Sequence, residues 1–426
     1  MHFYKLLKNT VAWKLVNTML VFFINLLLIK LLGASASGIF FYDIAICSFI
    51  ILLLSWSLES GINFYASKNN LIISSIIGAV FLLLVVQGLI CWSLFQFIHL
   101  SIGNFYGFLF IISNLFVIYF SAFLYAQKKF RLLNIIICSF NFIITVLLFF
   151  CFYNDLLSQS KYYYTAIYIA GITGSGLVIF TVLLFSVKKS NKSFTRLAPV
   201  FKNIFAYSSV ALLSNVISFL VTRIDYFFVE KYCTSISLGN YIQISKFGQL
   251  LILVPVVIAS LVFPLSASDS RLMTLEKVQQ LCRGITFIFI PITLCIILTA
   301  YQILPWFFGK EFNQMYFALL IYLPGFFALS IITILAAHLA GKKQLKINLI
   351  ASILALFIVI TGDIWLIPIG GINAAAAVSS IAYIASAIYI LLRYKKDYNC
   401  TISDFIFFKK CEIICLFKSQ NNSISA

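Results

Sequence analysis

The sequence predicts an all-α polytopic membrane protein with about twelve transmembrane helices, arranged as two parallel six-helix lobes around a central cavity. Three observations carry this prediction. Hydrophobic residues make up 62% of the 426-residue chain, charged residues only 10%, and the mean hydropathy is +1.06, far outside the range of soluble globular domains. The apolar residues gather in runs of roughly the 20 residues that span hydrocarbon. One polar, basic stretch, Lys188 to Lys202, with Pro199 inside it and no acid, divides those runs into equal halves.

Cut at polar or Gly/Pro breaks, the runs lie near 11–32, 38–58, 71–97, 105–126, 132–153 and 162–187, then 203–223, 238–264, 284–305, 313–338, 346–367 and 371–392. The first follows a short basic start but is too long for a cleavable signal, so it reads as a retained first helix. With the N-terminus in the cytoplasm, Lys30, Lys161, Arg223, Lys231 and Lys310 fall outside and Lys246 falls within a helix. The remaining Lys and Arg, including Lys128, Lys342 and the 188–202 stretch, fall inside. That asymmetry satisfies the positive-inside rule and places both termini in the cytoplasm, with Asp155 and Lys310 external. It accounts for the excess of Lys and Arg (30) over Asp and Glu (12) without nucleic acid, for which no reading motif exists. The expected organisation is an N-terminal lobe at 1–187, a cytoplasmic linker at 188–202, a C-terminal lobe at 203–393 and a cytoplasmic tail at 394–426. In the tail, the apolar run Phe405–Phe417 is expected on the inner membrane surface, its lysines meeting anionic lipid. The longest outside loop, near Asp225 to Leu238, leaves no room for an external catalytic domain and argues against a membrane glycosyltransferase or polymerase.

An internal repeat supports the division. Ala126-Gln-Lys-Lys-Phe-Arg-Leu-Leu-Asn, between the fourth and fifth segments, matches Ala340-Gly-Lys-Lys-Gln-Leu-Lys-Ile-Asn, between the tenth and eleventh, at Ala, both Lys and Asn. Six helices per half is an even number, so the halves enter the membrane in the same direction and form a parallel repeat, a transporter layout.

Polar side chains inside apolar helices face a cavity or another helix, because hydrocarbon offers them no hydrogen bonds. In the first segment Lys14, Asn17, Thr18 and Asn25 share a stripe; in the seventh, Ser214, Asn215, Ser218, Thr222 and Asp225 do the same. The eighth carries Asn240, Gln243 and Lys246, with Lys246 roughly 12 Å below the outer end at the helical rise. Asp43, Arg223 and Asp363 lie nearer the outer ends of their helices. The candidate transport residues are therefore Lys14, Asn25, Asp43, Ser218, Arg223, Asp225, Gln243, Lys246 and Asp363, each with a competing reading as a snorkelling, paired or interfacial group.

Other features read as structural. The ten Cys are scattered singly and read as small hydrophobes, and neither a metal nor any other cofactor is expected. Gly171-Ile-Thr-Gly-Ser-Gly sits in an apolar helix without a preceding strand and reads as a packing site. His338 and Glu59 read as interfacial groups, and Pro255, Pro264, Pro291 and Pro324 as helix bends or ends. No catalytic triad, carboxylate pair or nucleotide-binding loop is present, so the chain reads as a transporter and not an enzyme.

Four stretches in order resemble the Wzx-type polysaccharide-exporting flippases of the multidrug/oligosaccharidyl-lipid/polysaccharide superfamily, over nearly the whole chain to about residue 395. They are Asn17 through Leu31-Leu-Gly-Ala-Ser-Ala-Ser-Gly-Ile-Phe; Ser57-Leu-Glu-Ser-Gly-Ile-Asn-Phe-Tyr; Arg223-Ile-Asp-Tyr-Phe through Leu238-Gly-Asn-Tyr-Ile to Phe263-Pro-Leu-Ser; and Ile367-Pro-Ile-Gly-Gly-Ile-Asn-Ala-Ala-Ala-Ala, with Asn373 where the family has Gly. The resemblance implies a V-shaped cavity between two lobes in the cytoplasmic (inner) membrane. It also implies movement of a polyprenyl-pyrophosphate-linked oligosaccharide to the outer leaflet for O-antigen, capsule or lipopolysaccharide assembly. Membrane lipids and the polysaccharide polymerase machinery are the further partners implied. A multidrug or cation antiporter of the same superfamily is the alternative.

Overall fold

The computed structural model describes residues 2–68, 72–127, 129–154, 161–186, 197–267 and 274–407, and these form helices without any strand. In chain order they are α1 (His2–Ser55), α2 (Leu58–Lys68), α3 (Ile72–Leu94), α4 (Asn104–Ala126), α5 (Phe130–Tyr153), α6 (Lys161–Ser186), α7 (Leu197–Tyr232), α8 (Ser235–Leu251), α9 (Leu253–Ala267), α10 (Leu275–Phe308), α11 (Met315–Gly341), α12 (Leu345–Tyr398) and α13 (Ser403–Ile406), with a 3₁₀ turn at Lys310–Phe312.

Among the described residues nine helices are long and apolar enough to cross a membrane, and the α8–α9 pair, bent by 48°, makes a tenth span. Two of the nine are too long for one crossing: the apolar part of α1 has 44 residues and α12 has 54, about 66 and 80 Å at the helical rise against roughly 30 Å of hydrocarbon. Each breaks at a glycine, Gly33 (φ 76°, ψ 176°) and Gly371 (φ 56°, ψ −141°), conformations that a Cβ disfavours. Gly371 supplies the last turn, so Asn373 can remain helical. The arms of α12 double back, since a Cβ on Gly362 would lie 2.6 Å from Val378 Cγ1 and Ser386 Oγ donates to the Ala351 carbonyl at 2.8 Å. The arms of α1 separate likewise. The first runs beside α5, through Asn141–Asn17 (2.7 Å) and Lys30 over Phe152 (5.8 Å). The second follows α4, through Ile102 N–H to Asp43 and Tyr119 Oη–H to the Ser55 carbonyl. Two crossings each for α1 and α12 bring the total to the predicted twelve, and the chain is a multi-pass membrane protein.

The α8–α9 bend falls at Ile252, three residues before Pro255, whose ring excludes a helical carbonyl at Leu251. Pro291 and Pro324 lie inside continuous α10 and α11. Helix α7 extends well beyond the expected 203–223. It starts two residues ahead of Pro199, which the first turn tolerates because its N–H needs no partner, and it ends at Tyr232. The expected long outer loop shrinks to residues 233–234, and residues 188–196 of the connector lie outside the described ones, as do Lys128, Asp155 and Arg271.

The chain groups into two compact units, one of Met1–Glu230, Thr234–Ile242 and Phe308–Phe312, the other of Lys231–Cys233, Gln243–Phe307 and Asn313–Ala426. Helix α7 groups with unit 1 because the second arm of α1 lies antiparallel along it, through Tyr42–Phe227 (5.4 Å), Phe49–Phe219 (5.3 Å) and Trp56–Phe205 (6.0 Å). In unit 2, α10, α11 and α12 close around Cys282, Ile334, Leu335 and Tyr394. Phe405 is fully buried there, edge-on to Tyr394 at 5.4 Å. The surface placement expected for the tail is thus corrected for Phe405, a core residue, while 408–426 lie outside the described residues.

The repeated loops close their helices in the same way. Gln127 N–H bonds the Phe123 carbonyl and Lys129 N–H that of Leu124; Lys342 N–H bonds His338 and Gln344 N–H bonds Leu339. Each is an i→i−4 bond followed two residues later by an i→i−5 bond, with the second loop displaced one residue from the sequence alignment.

Candidate transport residues

Unit 1 carries three of the candidates, Ser218, Arg223 and Asp225, on the extended α7. Because α7 ends at Tyr232, Arg223 and Asp225 sit about 14 and 11 Å from its C-terminal end at the helical rise, further inside the helix than expected from sequence. Asp225 has no exposed surface; its Oδ2 accepts the Tyr241 hydroxyl at 2.5 Å and its Oδ1 the Tyr226 N–H at 3.0 Å. Arg223 donates from Nη1 to the Tyr226 hydroxyl at 2.9 Å and lies over that ring at 5.1 Å. Tyr226 and Tyr241 are both fully buried and meet edge to face at 6.0 Å. A cation and a carboxylate are thereby joined through two tyrosines. A short hydrogen bond to a charged group in a dry site is among the strong ones, so this network fixes the α7–α8 corner.

Asp43 is 4% exposed, and its Oδ2 accepts the Ile102 N–H at 2.9 Å. It thereby holds the short loop between α3 and α4 through a backbone donor that otherwise has no helical partner. The polar stripes behave differently. Lys14, Ser214, Asn215 and Ser218 are exposed, and Asn17, Thr18 and Asn25 are half-buried. Thr18 and Thr222 return their hydroxyls to the carbonyls of Lys14 and Ser218, Asn17 accepts from Asn141 and Asn215 donates to Ser57, while Lys14, Ser214, Asn215 and Ser218 keep exposed surface on the stripes. Polar faces that packing leaves uncovered in spanning helices require water or a polar ligand.

Unit 2 holds the remaining three. Gln243 is 2% exposed and its Nε2 finds no hydrogen-bond partner among the described residues; Lys246, one turn on, is half-buried; Asp363 has no exposed surface.

Sequence reasoning overlooked a second polar centre in unit 1. The backbone takes left-handed φ at two consecutive non-glycine residues, Trp56 and Ser57 (both φ 50°), where the second arm of α1 gives way to α2. Such a break frees carbonyls where water is scarce. Gln87 Nε2 takes the Leu54 carbonyl at 2.6 Å and the Tyr119 hydroxyl at 2.7 Å, and that hydroxyl takes the Ser55 carbonyl at 3.3 Å. From α7, Asn215 Nδ2 bonds Ser57 Oγ at 3.1 Å, and Trp56 Nε1 bonds Ser209 Oγ at 2.9 Å. Glu59, expected as an interfacial charge, lies just past the break and is half-buried. Burial pushes its carboxyl above the ordinary carboxylate range against the lowering effect of its own N–H, and its Oε2 has no hydrogen-bond partner among the described residues. His338, also expected at the interface, is 2% exposed with Nδ1 2.7 Å from the Tyr394 hydroxyl. Arg283, assigned to an inside loop, is 1% exposed and donates to the Asp404 carbonyl. The described cysteines are unbridged and mostly buried, and Gly171 and Gly174 meet Ile144 and Phe140 of α5, as their packing roles require.

Among known proteins, the family model described as "Polysaccharide biosynthesis protein" matches residues 27–317. No curated protein matches this chain. Solved structures share the fold. The lipid II flippase MurJ in an inward closed conformation superposes with a TM-score of 0.66 at 18% identity, covering 93% of this chain and 88% of MurJ. A MATE transporter of Vibrio cholerae, VcmN, gives 0.64 at 14% identity, covering 94% and 98%. A transporter of the MOP superfamily from Pyrococcus furiosus, described as having a binding pocket of reversed polarity, gives 0.59 at 13% identity over 92% and 94%.

Proposed function

The chain belongs to the polysaccharide biosynthesis protein family, and from that premise we propose that it is a flippase moving polyprenyl-pyrophosphate-linked oligosaccharide units across the cytoplasmic membrane by alternating access. The observation that carries the reading is the coincidence of this family with a fold shared by membrane transporters. A protein of polysaccharide synthesis whose spans are transport helices serves the pathway by moving an intermediate. A pyrophosphate sugar cannot enter hydrocarbon unaided, so it needs a hydrated path and a compensating cation, while its polyprenyl chain can stay in lipid. The uncovered polar stripes of α1 and α7 supply such a path in unit 1, and Lys14 and Lys246 supply cations. In this reading the repeat units feed O-antigen or capsule polymerisation, the two six-helix halves flank the path, and both termini lie in the cytoplasm. The antiporter alternative draws on the likeness to MATE transporters.

Deletion of the gene should abolish the surface glycan and accumulate its lipid-linked precursor, and the wild-type chain should restore export. Lys246→Ala should fail to restore it while inserting normally, and Lys246→Arg should restore it in part, since charge survives and shape changes. Unchanged glycan in the deletion strain with altered drug susceptibility would sink the flippase reading in favour of the antiporter.

A further inference from the structure

We propose that Glu311 latches the outer side of unit 1 shut and must release once in each transport cycle, an inference that rests on the alternating-access reading above. Three regions distant in sequence meet there. Glu311, on the 3₁₀ turn between α10 and α11, accepts the Ala34 N–H on Oε2 at 2.9 Å, and its own carbonyl accepts Asn240 Nδ2 at 3.0 Å. Ala34 is the first residue beyond the Gly33 turn, so its N–H is one of the donors that the N-terminus of the second α1 arm leaves without a helical partner. A carboxylate at that end is favoured by the helix dipole as well as by the bond. Asn240, on α8, in turn fixes the backbone that carries the carboxylate.

Beside this bond the backbones of α1 and α8 touch. A Cβ on Gly38 would fall 2.6 Å from the Gly239 nitrogen, and one on Gly239 would fall 2.2 Å from the Ala34 carbonyl oxygen. Only two glycines permit that approach. Directly beneath, Ser37 has no exposed surface and donates its hydroxyl to the Ala34 carbonyl at 3.1 Å.

The chemistry of the closure is that of something made to open. Glu311 is an exposed residue, so water replaces its bond to Ala34 when the turn withdraws. The glycine pair interlocks no side chains. The inner end of unit 2 is a contrast, held by the fully buried Phe405 and by Arg283 at 1% exposure. An outward-open state of the proposed cycle must part the Gly33–Gly38 corner from α8 and the 310–312 turn, and the Glu311 bond is the charged contact opposing that step.

The test places a single Ser37→Cys in a background lacking the native cysteines and follows its reaction with a maleimide in lipid nanodiscs, where reagent reaches both faces. The latched protein should react slowly. Glu311→Ala and the shape-preserving Glu311→Gln should each raise the rate about tenfold, the loss expected for a hydrogen bond to a charged group, and Asn240→Ala should raise it by less. Equal rates in Glu311→Gln and its parent, in protein that elutes as a single folded species, overturn the latch. Glycan export is scored separately in cells. Failure of the flippase reading would leave the labelling difference intact, whereas failure of the latch would leave export by Glu311→Gln at the parental level and labelling unchanged.

Discussion

Asp225 shows how a residue whose type suggests transport can be tied into structure at the same time. The sequence placed it on the polar stripe of the seventh segment, and the stripe is real, since Ser214, Asn215 and Ser218 remain uncovered. Nothing in local spacing foretold Tyr241, 16 residues on, whose hydroxyl reaches Oδ2 at 2.5 Å; that contact depends on α7 running to Tyr232 and turning within two residues. Tyr241→Phe would keep the ring's packing and remove this hydroxyl donor from a buried carboxylate. The expected cost is about 1.5–3 kcal/mol, the net worth of a hydrogen bond to a charged group, read as a lower thermal unfolding temperature of the purified protein. Asp225→Asn in the Tyr241→Phe background should recover part of the loss, because the neutral amide tolerates a missing donor better. An unchanged unfolding temperature in Tyr241→Phe would mean that the bond contributes nothing to stability.

At the scale of the element, the helix breaks divide into those that sequence declares and those that it conceals. Gly33 and Gly371 announce themselves, because left-handed or extended turns in apolar runs call for glycine. Trp56 and Ser57 do not, for neither residue type favours positive φ, and strain of this kind persists only where surroundings over-determine it. The surroundings here are Gln87, Tyr119, Ser209 and Asn215, drawn from α3, α4 and α7, so the break is a tertiary fact that no local pattern encodes. Its consequence is the half-buried Glu59. A carboxyl whose folded-state pKa is raised binds its proton more tightly when folded, so its penalty is absent below the ordinary carboxylate value of about 4.3 and grows as pH rises through the raised value. Glu59→Gln should therefore stabilise the protein at neutral pH and lose that advantage in acid. Thermal unfolding at pH 4 and pH 8 measures it, and a wild type that exceeds Glu59→Gln at pH 8 would show the carboxylate to be compensated in the folded state.

At the scale of the whole molecule, the number of crossings was legible because hydrocarbon imposes it: each span must satisfy its own backbone and reach about 30 Å, and composition alone carries both demands. Span ends were less legible. Proline at the start of α7 reads as a stop when it is a tolerated first-turn residue, and the stretch from Asp225 to Tyr232 reads as loop when it continues the helix. The orientation follows from charge, and it makes a prediction that the fold alone does not. The repeated loops at 126–134 and 340–348 lie at the ends of α4 and α11, and the structure closes both with the same pair of backbone bonds. In the proposed orientation their Lys and Arg put both loops in the cytoplasm. The turn at Lys310–Phe312 joins α10 to α11 at the opposite end of α11 from Lys342, so one crossing separates Lys310 from Lys342. Cysteine introduced at position 310 in a Cys-depleted protein should be labelled by an impermeant thiol reagent in intact cells. Cysteine at 129 or 342 should be labelled only after the membrane is permeabilised. Labelling of 342 together with 310 in intact cells would contradict the single crossing by α11, and labelling of 342 alone would invert the orientation while keeping all twelve crossings.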